Sequence, residues 1–211
     1  MLKIALTKGR IEQKAVELLG LCGYDTAELN DKGRKLLFTC PHPTLDELQI
    51  VLAKANDVIT YVEHGTCDIG IVGRDTIMEM GGDFYELLDL GFGKCRFALA
   101  GPKGRDFHEG HRHKVIATKY PNVTKRYFAG LDMDCEIVKI DGSVELAPIL
   151  GLSDAIVDIV ETGSTLRENG LEVYTDIAPI SARCIVNSAS MKLKNDAVRD
   201  FIEALSKQIP N

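Results

Sequence analysis

Short apolar segments alternate with helical patterns along this chain, and that alternation limits the folds it can adopt. Residues 2–6 have a buried-strand pattern, and a helical pattern over residues 11–19 follows Gly9 and Arg10. Other strand patterns lie at residues 36–39, 49–53, 69–72, 96–100, 115–118, 136–140, 155–160 and 184–188. Further helical patterns lie at residues 58–63, from 75 onward, and at 122–129, 144–150, 165–168 and 195–208. Strands that alternate with helices indicate an α/β fold.

The character of the sequence changes after Leu90, where a strand pattern is followed by a Gly-Pro turn and a polar segment over residues 105–113. No internal repeat or low-complexity tract interrupts the chain. We predict two lobes, the first formed by residues 1–90 and 179–211 and the second by 91–178. Because clefts between lobes favour small ligands, we expect the binding site in such a cleft.

Composition and charge exclude several classes of protein. A chain of 211 residues with 45% hydrophobic and 27% charged residues has an ordinary soluble composition. The net charge of −6 argues against non-specific nucleic-acid binding, which needs a basic face. Neither a long apolar run nor a secretory signal is present, so we expect no membrane span and a cytoplasmic protein. The six cysteines form no CxxC pair and are expected to stay reduced.

The segment 158–166, DIVETGSTL, is the sharpest chemical signal in the sequence. An apolar strand pattern ends in a loop whose backbone N–H groups, backed by a helix, can cradle an anion. Hydroxyls of Thr162, Ser164 and Thr165 add donors, and Gly163 permits close approach of a ligand. A plain helix cap would use the same residue types, so the residues alone leave phosphate binding and capping both open.

Acidic residues upstream of this loop suit a sugar that carries both a phosphate and free hydroxyls. We predict that Asp154 or Asp158 binds ribose hydroxyls while the loop holds the phosphate. The spacing of His108, His111 and His113 is also typical of metal ligands, but the segment is charged and lacks a nearby cysteine, so a surface loop is favoured.

Residues 158–171 resemble the phosphoribosyl pyrophosphate (PRPP) loop of ATP phosphoribosyltransferases, D-x-V-x-T-G-x-T-L-x-x-N-x-L, and match every specified position. Two other segments depart slightly from the family. Thr7 stands where the family's L-P-K-G-R has proline, and Lys54 stands where it often has an arginine that helps hold pyrophosphate. Lysine is a point charge and cannot replace the bidentate fork of arginine. Further similar segments are 6–10, 61–75, 116–122, 142–148 and 181–183.

The resemblance implies that ATP and PRPP react to give phosphoribosyl-ATP and pyrophosphate, the first step of histidine biosynthesis. It assigns Lys8, with Arg34 or Lys54, to the pyrophosphate. Glu145 is assigned to the ribose or to Mg²⁺, which would be held largely by the substrate. For ATP the resemblance implies Arg10, Asp68, Gly73 and Tyr120.

Several of these residues also have plain structural interpretations. Lys8 and Arg10 could belong to a solvated turn, and Arg34 to an ordinary charged surface. Asp68 could be a turn residue, and Tyr120 a partly buried structural tyrosine rather than a platform for adenine.

The family fold resembles type II periplasmic binding proteins, and the length of the chain resembles that of the family's short form. Short forms work with a regulatory subunit that resembles histidyl-tRNA synthetase, so we expect a hetero-oligomer. A small-ligand-binding module without catalysis, such as a solute-binding protein or the effector domain of a regulator, would have the same architecture. A phosphoribosyltransferase for another base is a further alternative.

Overall fold

The computed structural model describes residues 1–109 and 113–209, which divide into two compact units. Unit 1 comprises Met1–Gly93 and Ser181–Asn211, and unit 2 comprises Lys94–Ile180. The chain therefore leaves unit 1 once and returns to it once. These passages lie close to the boundaries expected near residues 90 and 178.

In the described part of unit 1, six strands form one sheet in the order β2-β3-β1-β4-β11-β5. Its strands are β1 (Leu2–Thr7), β2 (Leu37–Cys40), β3 (Leu48–Ala53), β4 (Ile69–Gly73), β5 (Phe84–Asp89) and β11 (Ala182–Asn187). Its helices are α1 (Arg10–Leu21), α2 (Ala27–Asn30), α3 (Ala55–Glu63), α4 (Arg74–Met80), α8 (Ser190–Leu193) and α9 (Asn195–Ser206).

Strand β1 lies between β3 and β4 and is parallel to both. Thr7 pairs with Ala53, and Leu6 pairs with Ile71, so the three strands end at the same edge of the sheet. Strand β11 runs antiparallel between β4 and β5.

Both faces of this sheet are covered, which explains the continuous apolar pattern of β1 and β4. Alternate strand residues point to opposite faces. Ile4 and Leu6 belong to the core that α1 and α9 cover, whereas Ala5 packs with the apolar residues of α3 on the other face. All three of these strand side chains are fully buried.

In the described part of unit 2, five strands form a second sheet in the order β10-β6-β9-β7-β8. Strand β7 is parallel to β8 and β9, while β6 runs antiparallel between β9 and β10. The strands of unit 2 are β6 (Cys95–Pro102), β7 (Lys114–Thr118), β8 (Cys135–Lys139), β9 (Ala155–Val160) and β10 (Leu171–Ile180). Its helices are α5 (Pro121–Ala129), α6 (Leu146–Ile149) and α7 (Ser164–Glu168).

Strands β5 and β10 were not predicted from the sequence. Strand β10 pairs with β6 through two register shifts, between Val173 and Thr175 and between Asp176 and Ala178. Such irregularities break the two-residue alternation that marks a strand. Strand β5 lies at the edge of its sheet and alternates poorly between buried and exposed positions.

Across residues 1–109 and 113–209, no helix is both long enough and apolar enough to cross a bilayer. The six cysteines are all free thiols. Burial raises the pKa of the Cys184 thiol to about 12, so this residue is a packing group with little thiolate.

Candidate functional site

The parallel strands of unit 1 bring several of the predicted residues to one edge of the first sheet. Lys8 directly follows β1, Lys54 directly follows β3, and Gly73 ends β4. The backbone N–H of Lys8 donates to the carbonyl oxygen of Ala53 at 3.0 Å, which joins the first two strand ends. Both lysine side chains are exposed. The carboxyl edge of parallel strands is where α/β sheets bind ligands.

A buried carboxylate that sequence reasoning missed fixes the turn between Lys8 and α1. Glu12 is 4% exposed and accepts a hydrogen bond from the backbone N–H of Gly9 at 3.2 Å. Its other oxygen pairs with Lys32 Nζ, so the same carboxylate also holds the loop before β2. Gly9 has φ +101°, a backbone conformation that favours glycine. Arg10 then begins α1 with an exposed side chain.

Arg34 lies in that same loop before β2, at the edge that also holds Lys54. The carbonyl oxygen of Leu36 accepts a hydrogen bond from the N–H of Leu52 at 2.9 Å, so the loop meets the sheet where β3 ends. The Arg34 side chain is exposed. Lys8, Arg10, Arg34 and Lys54 therefore give this edge four basic side chains.

Asp68 does not lie at this edge of the sheet, so its position does not support the predicted contact with ATP. It precedes β4 and lies at the opposite edge of the sheet, with 5% exposure. Its carboxylate accepts hydrogen bonds from the Lys3 N–H at 2.9 Å, Ser190 Oγ at 2.7 Å and Lys194 Nζ at 2.8 Å. Burial opposes ionisation, but these hydrogen bonds outweigh it and lower the pKa of Asp68. Asp68 thus ties the C-terminal segment of unit 1 to the sheet.

The second sheet brings most of the remaining predicted residues to the carboxyl ends of β7, β8 and β9. Tyr120 follows β7, Glu145 lies in the segment after β8, and Asp158 is near the end of β9. The loop 161–165 leaves β9 at this edge and opens α7. Acidic, hydroxyl and aromatic groups therefore lie near one edge of this sheet.

The loop brings two hydroxyl groups together at the start of α7. Gly163 adopts the left-handed conformation, with φ +72°, and directly precedes α7. Thr162 Oγ1 and Ser164 Oγ are hydrogen-bonded at 3.1 Å, so the two hydroxyls lie together. The first N–H groups of a helix have no partner within the helix, and that of Ser164 donates to Thr162 Oγ1 at 3.4 Å. Thr165 is exposed on the first turn of α7.

Asp158 is half-buried, and its environment makes its charged form less favourable. Burial, together with the nearby Glu145 carboxylate, raises the pKa of Asp158 to about 6, against an ordinary value of 3.8. A hydrogen bond from the Ile159 N–H and the positive charge of Lys119 act in the opposite direction. A carboxyl group with a pKa this close to neutrality is typical of functional sites. Lys119 is a charged neighbour that sequence reasoning did not assign.

Asp154 lies away from this edge, which corrects its predicted role at the ribose. It precedes β9, and its backbone N–H and one carboxylate oxygen bond to Val115 at 2.8 and 3.0 Å. The six residues of β9 separate it from the loop, a distance of about 20 Å at about 3.3 Å per residue. Asp158 is therefore the carboxylate of the pair that accompanies the loop.

The Tyr120 ring packs edge-on against Phe97, with ring centroids 4.9 Å apart and planes at 75°. Its backbone N–H donates to Thr118 Oγ1 at 2.9 Å, and that hydroxyl in turn donates to the carbonyl oxygen of Val157 at 2.7 Å. The side chain is half-buried, so part of the ring is packed and part is open to solvent.

Arg96 is a further residue that sequence reasoning missed. It is the second residue of β6 and lies beside the end of β9, where it pairs with Val160. Its guanidinium donates to Asp176 Oδ1 at 2.6 Å and to the carbonyl oxygen of Glu161 at 3.3 Å. Those partners are 80 and 65 positions away in the sequence, so no local pattern indicates the contacts.

The histidine spacing near residue 110 is only partly observed. His111 lies outside the described residues, and within the described ones no group of three or more His, Cys, Asp or Glu side chains is arranged to hold a metal ion.

Comparison with known proteins gives one consistent family. Residues 54–207 match the family model described as HisG, ATP phosphoribosyltransferase. An ATP phosphoribosyltransferase of Clostridium kluyveri is 59% identical over 208 residues, covering 99% of this chain and 94% of that protein. That of Clostridium acetobutylicum is 57% identical, covering 99% and 95%.

Solved structures agree in fold over the whole chain. The HisG:HisZ complex of ATP phosphoribosyl transferase from Thermotoga maritima includes a chain with TM-score 0.82 and 39% identity, covering 99% of this chain and 98% of that one. The periplasmic aliphatic sulphonate binding protein SsuA of Escherichia coli has TM-score 0.59 at 12% identity, covering 98% and 68%. This second likeness concerns the fold alone and confirms the expected resemblance to periplasmic binding proteins.

Proposed function

This chain belongs to the ATP phosphoribosyltransferase family, and from that membership we propose how its residues divide the work of the reaction. The enzyme transfers the 5-phosphoribosyl group of PRPP to N1 of the adenine of ATP, with release of pyrophosphate. The observation that carries this assignment is 59% identity to an ATP phosphoribosyltransferase over 99% of the chain.

The edge of unit 2 holds the phosphoribosyl group in this proposal. The loop 162–165 binds the 5-phosphate through its amides and the paired hydroxyls of Thr162 and Ser164. Asp158 accepts hydrogen bonds from the ribose hydroxyls, and Glu145 lies beside it. Holding the sugar at both its phosphate and its hydroxyls fixes the direction in which C1 faces the incoming adenine.

Basic side chains of unit 1 stabilise the leaving pyrophosphate. Lys8 and Lys54 follow neighbouring strands, and Arg34 reaches the same edge from the loop before β2. Negative charge grows on the pyrophosphate as its bond to C1 breaks, so preplaced cations lower the barrier more than they tighten binding. The reaction needs no covalent intermediate with the protein.

The ATP contacts are assigned to the remaining residues at these edges. Arg10 on the first turn of α1 is assigned to a phosphate of ATP, and Gly73, which ends β4 at the same edge of the sheet, is assigned to ATP through its backbone. Tyr120 presents the exposed part of its ring to adenine, while Phe97 fixes its orientation. Asp68 is left out of this set because its carboxylate serves the fold.

Mg²⁺ is the cofactor that we propose. Glu145 and Asp158 supply two neighbouring carboxylates, which fit a cation that takes most of its ligands from phosphate and hydroxyl oxygens. When bound, the ion would neutralise pyrophosphate charge. Without such a cation the same two carboxylates repel each other, which is one cause of the raised pKa of Asp158.

We also propose that the chain assembles with a regulatory subunit that resembles histidyl-tRNA synthetase. The Thermotoga maritima relative was solved as a HisG:HisZ complex, and 99% of this chain aligns with a chain of that complex. The cytoplasm is the proposed compartment, because the six free cysteines would stay reduced there.

Product formation tests the proposed function. The chain is incubated with ATP, PRPP and Mg²⁺, with and without the histidyl-tRNA-synthetase-like subunit, and phosphoribosyl-ATP is measured by mass spectrometry. We expect product in the presence of the subunit and much less without it. A folded chain that binds the subunit yet gives no product in either mixture would instead support a ligand-binding module.

A further inference from the structure

Two arginines contact the backbone of the loop 161–165, which is proposed to bind phosphate. Arg96 Nη1 donates to the carbonyl oxygen of Glu161 at 3.3 Å, and Arg167 Nη1 donates to the carbonyl oxygen of Thr162 at 3.0 Å. The first arginine comes from the start of β6 and the second from within α7. Two consecutive loop carbonyls are thus each held by a cation from a different element.

Fixing these carbonyls also fixes the amides that follow them. A trans peptide group is planar, with its C=O and N–H pointing in opposite directions. The peptide bonds between Glu161 and Thr162 and between Thr162 and Gly163 are trans. The N–H groups of Thr162 and Gly163 therefore point away from the guanidinium groups.

Arg96 is itself oriented by a carboxylate. Its Nε donates to Asp176 Oδ1 at 2.6 Å, and the side chain of Arg96 is 35% exposed. Because Nε is engaged by Asp176 and Nη1 by Glu161, the planar guanidinium has its direction set by two contacts. Arg167 has a single such contact to the loop, at Thr162.

We infer that Arg96 and Arg167 are positioning residues, which preset the amides of Thr162 and Gly163 for the 5-phosphate of PRPP without touching it. The inference rests on the proposed function of the loop. A loop that is ordered before the ligand arrives does not lose conformational entropy on binding, so the arginines increase affinity for the phosphoribosyl group. Asp176 acts indirectly, because it orients the guanidinium of Arg96.

The test compares affinities for two ligands by calorimetry on the full-length chain. Ribose 5-phosphate reports on the 5-phosphate subsite alone, and ATP reports on the rest of the site. For Arg96→Gln and Arg167→Gln we expect ribose 5-phosphate affinity to fall about tenfold, as for the loss of one charge-assisted hydrogen bond. The affinity for ATP should stay within about twofold, and the matched surface variant Arg199→Gln should change neither.

Conservative variants separate positioning from simple charge. Arg167→Lys can keep the single bond to Thr162 and should recover most of the affinity, whereas Arg96→Lys cannot make both of its contacts and should not. Asp176→Asn leaves Arg96 in place but loosens it, and about a threefold loss is expected as part of one charge-assisted hydrogen bond. If Arg96→Gln does not fold, as judged by circular dichroism, Asp176→Asn and Arg167→Gln carry the test.

The outcomes distinguish this inference from the function on which it rests. Unchanged ribose 5-phosphate affinity in both glutamine variants would overturn the inference and leave the function standing. An equal loss of ATP affinity would also overturn it, because the arginines would then support the fold in general. A wild-type chain that binds neither PRPP nor ribose 5-phosphate would contradict the proposed function itself.

Discussion

Lys8 and Lys54 leave the first sheet as neighbours, since the residues before them, Thr7 and Ala53, are paired across parallel strands β1 and β3. The Lys8 N–H donates to the Ala53 carbonyl oxygen at 3.0 Å, which continues the ladder up to the lysines. Two cations that follow adjacent strand ends can act on one polyanion, so each should matter more for the departing pyrophosphate than for substrate binding.

Replacing Lys54 by methionine should therefore lower kcat more than it raises the KM for PRPP. A loss of about a hundredfold in kcat is expected, as for other preplaced donors to a developing anion. Steady-state kinetics with the regulatory subunit present would measure it. Lys14→Met is the matched control, because Lys14 is exposed on α1 and forms an ion pair with Glu17 on the same helix. A Lys54 variant with wild-type kcat would contradict the assignment.

Asp158→Asn should stabilise the fold while weakening PRPP binding. The native pKa of about 6 exceeds the ordinary value of 3.8, so the folded state binds more protons between these two pH values. Stability therefore falls as pH rises from about 4 to about 6, and the penalty persists at neutral pH. The asparagine variant removes it, with a gain on the order of 2 kcal/mol at pH 7.5.

Urea unfolding at pH 7.5 and at about pH 4 would measure that gain, which should shrink at the lower pH. Asp134→Asn serves as the control, since the Asp134 side chain is 98% exposed. An Asp158 variant whose stability relative to wild type does not depend on pH would show that burial of the charge is unimportant.

Asp68→Ala should destabilise unit 1 and leave the KM for ATP unchanged. The substitution leaves Lys194 and Ser190 without their shared acceptor, and we expect a loss of about 2–3 kcal/mol. Because the native pKa of Asp68 is lowered, this stabilisation is present above the ordinary pKa and is lost as pH falls through the native value. Thermal unfolding at several pH values, with ATP kinetics alongside, would test both statements.

Gly163→Ala and Gly170→Ala form a matched pair around α7. Both glycines have φ +72°, so either alanine should cost about 1 kcal/mol of stability. A Cβ at Gly170 meets open space, whereas one at Gly163 lies 3.3 Å from Arg167 Nη1. We expect equal losses in the free energy of unfolding, but a raised KM for PRPP only in the Gly163 variant. Equal KM values would mean that the loop tolerates the added methyl group.

The sequence predicts the buried parallel strands well, because continuous apolar segments such as β1 and β4 have few other uses in an α/β protein. Strand β10 was not predicted because two register shifts and Pro179 disrupt its pattern. Its pairing with β6 depends on tertiary contacts that a local pattern does not contain.

The positions of the acidic site residues also depend on tertiary structure that local sequence does not contain. Asp154 and Asp158 are close in sequence and look equivalent, yet a strand between Asp154 and the loop carries the loop to the other edge of the sheet. The prediction for Asp68 fails for the same reason, because Asp68 precedes β4 and so lies at the opposite edge of the sheet from the end of that strand. Family motifs identify these segments, but only strand direction decides which acidic residue lies at the same edge of the sheet as the loop.

The position of β11 sets an order for folding as the chain leaves the ribosome. Strands β4 and β5 are made before Lys94, but β11, which lies between them, is made only after all of unit 2. Within unit 2, its first strand β6 pairs with its last strand β10, and Cys95 lies opposite Ile180. Because domains fold as units during synthesis, the inserted unit can finish first. The nascent first sheet must wait, with an unpaired edge on β4, until its last strand emerges.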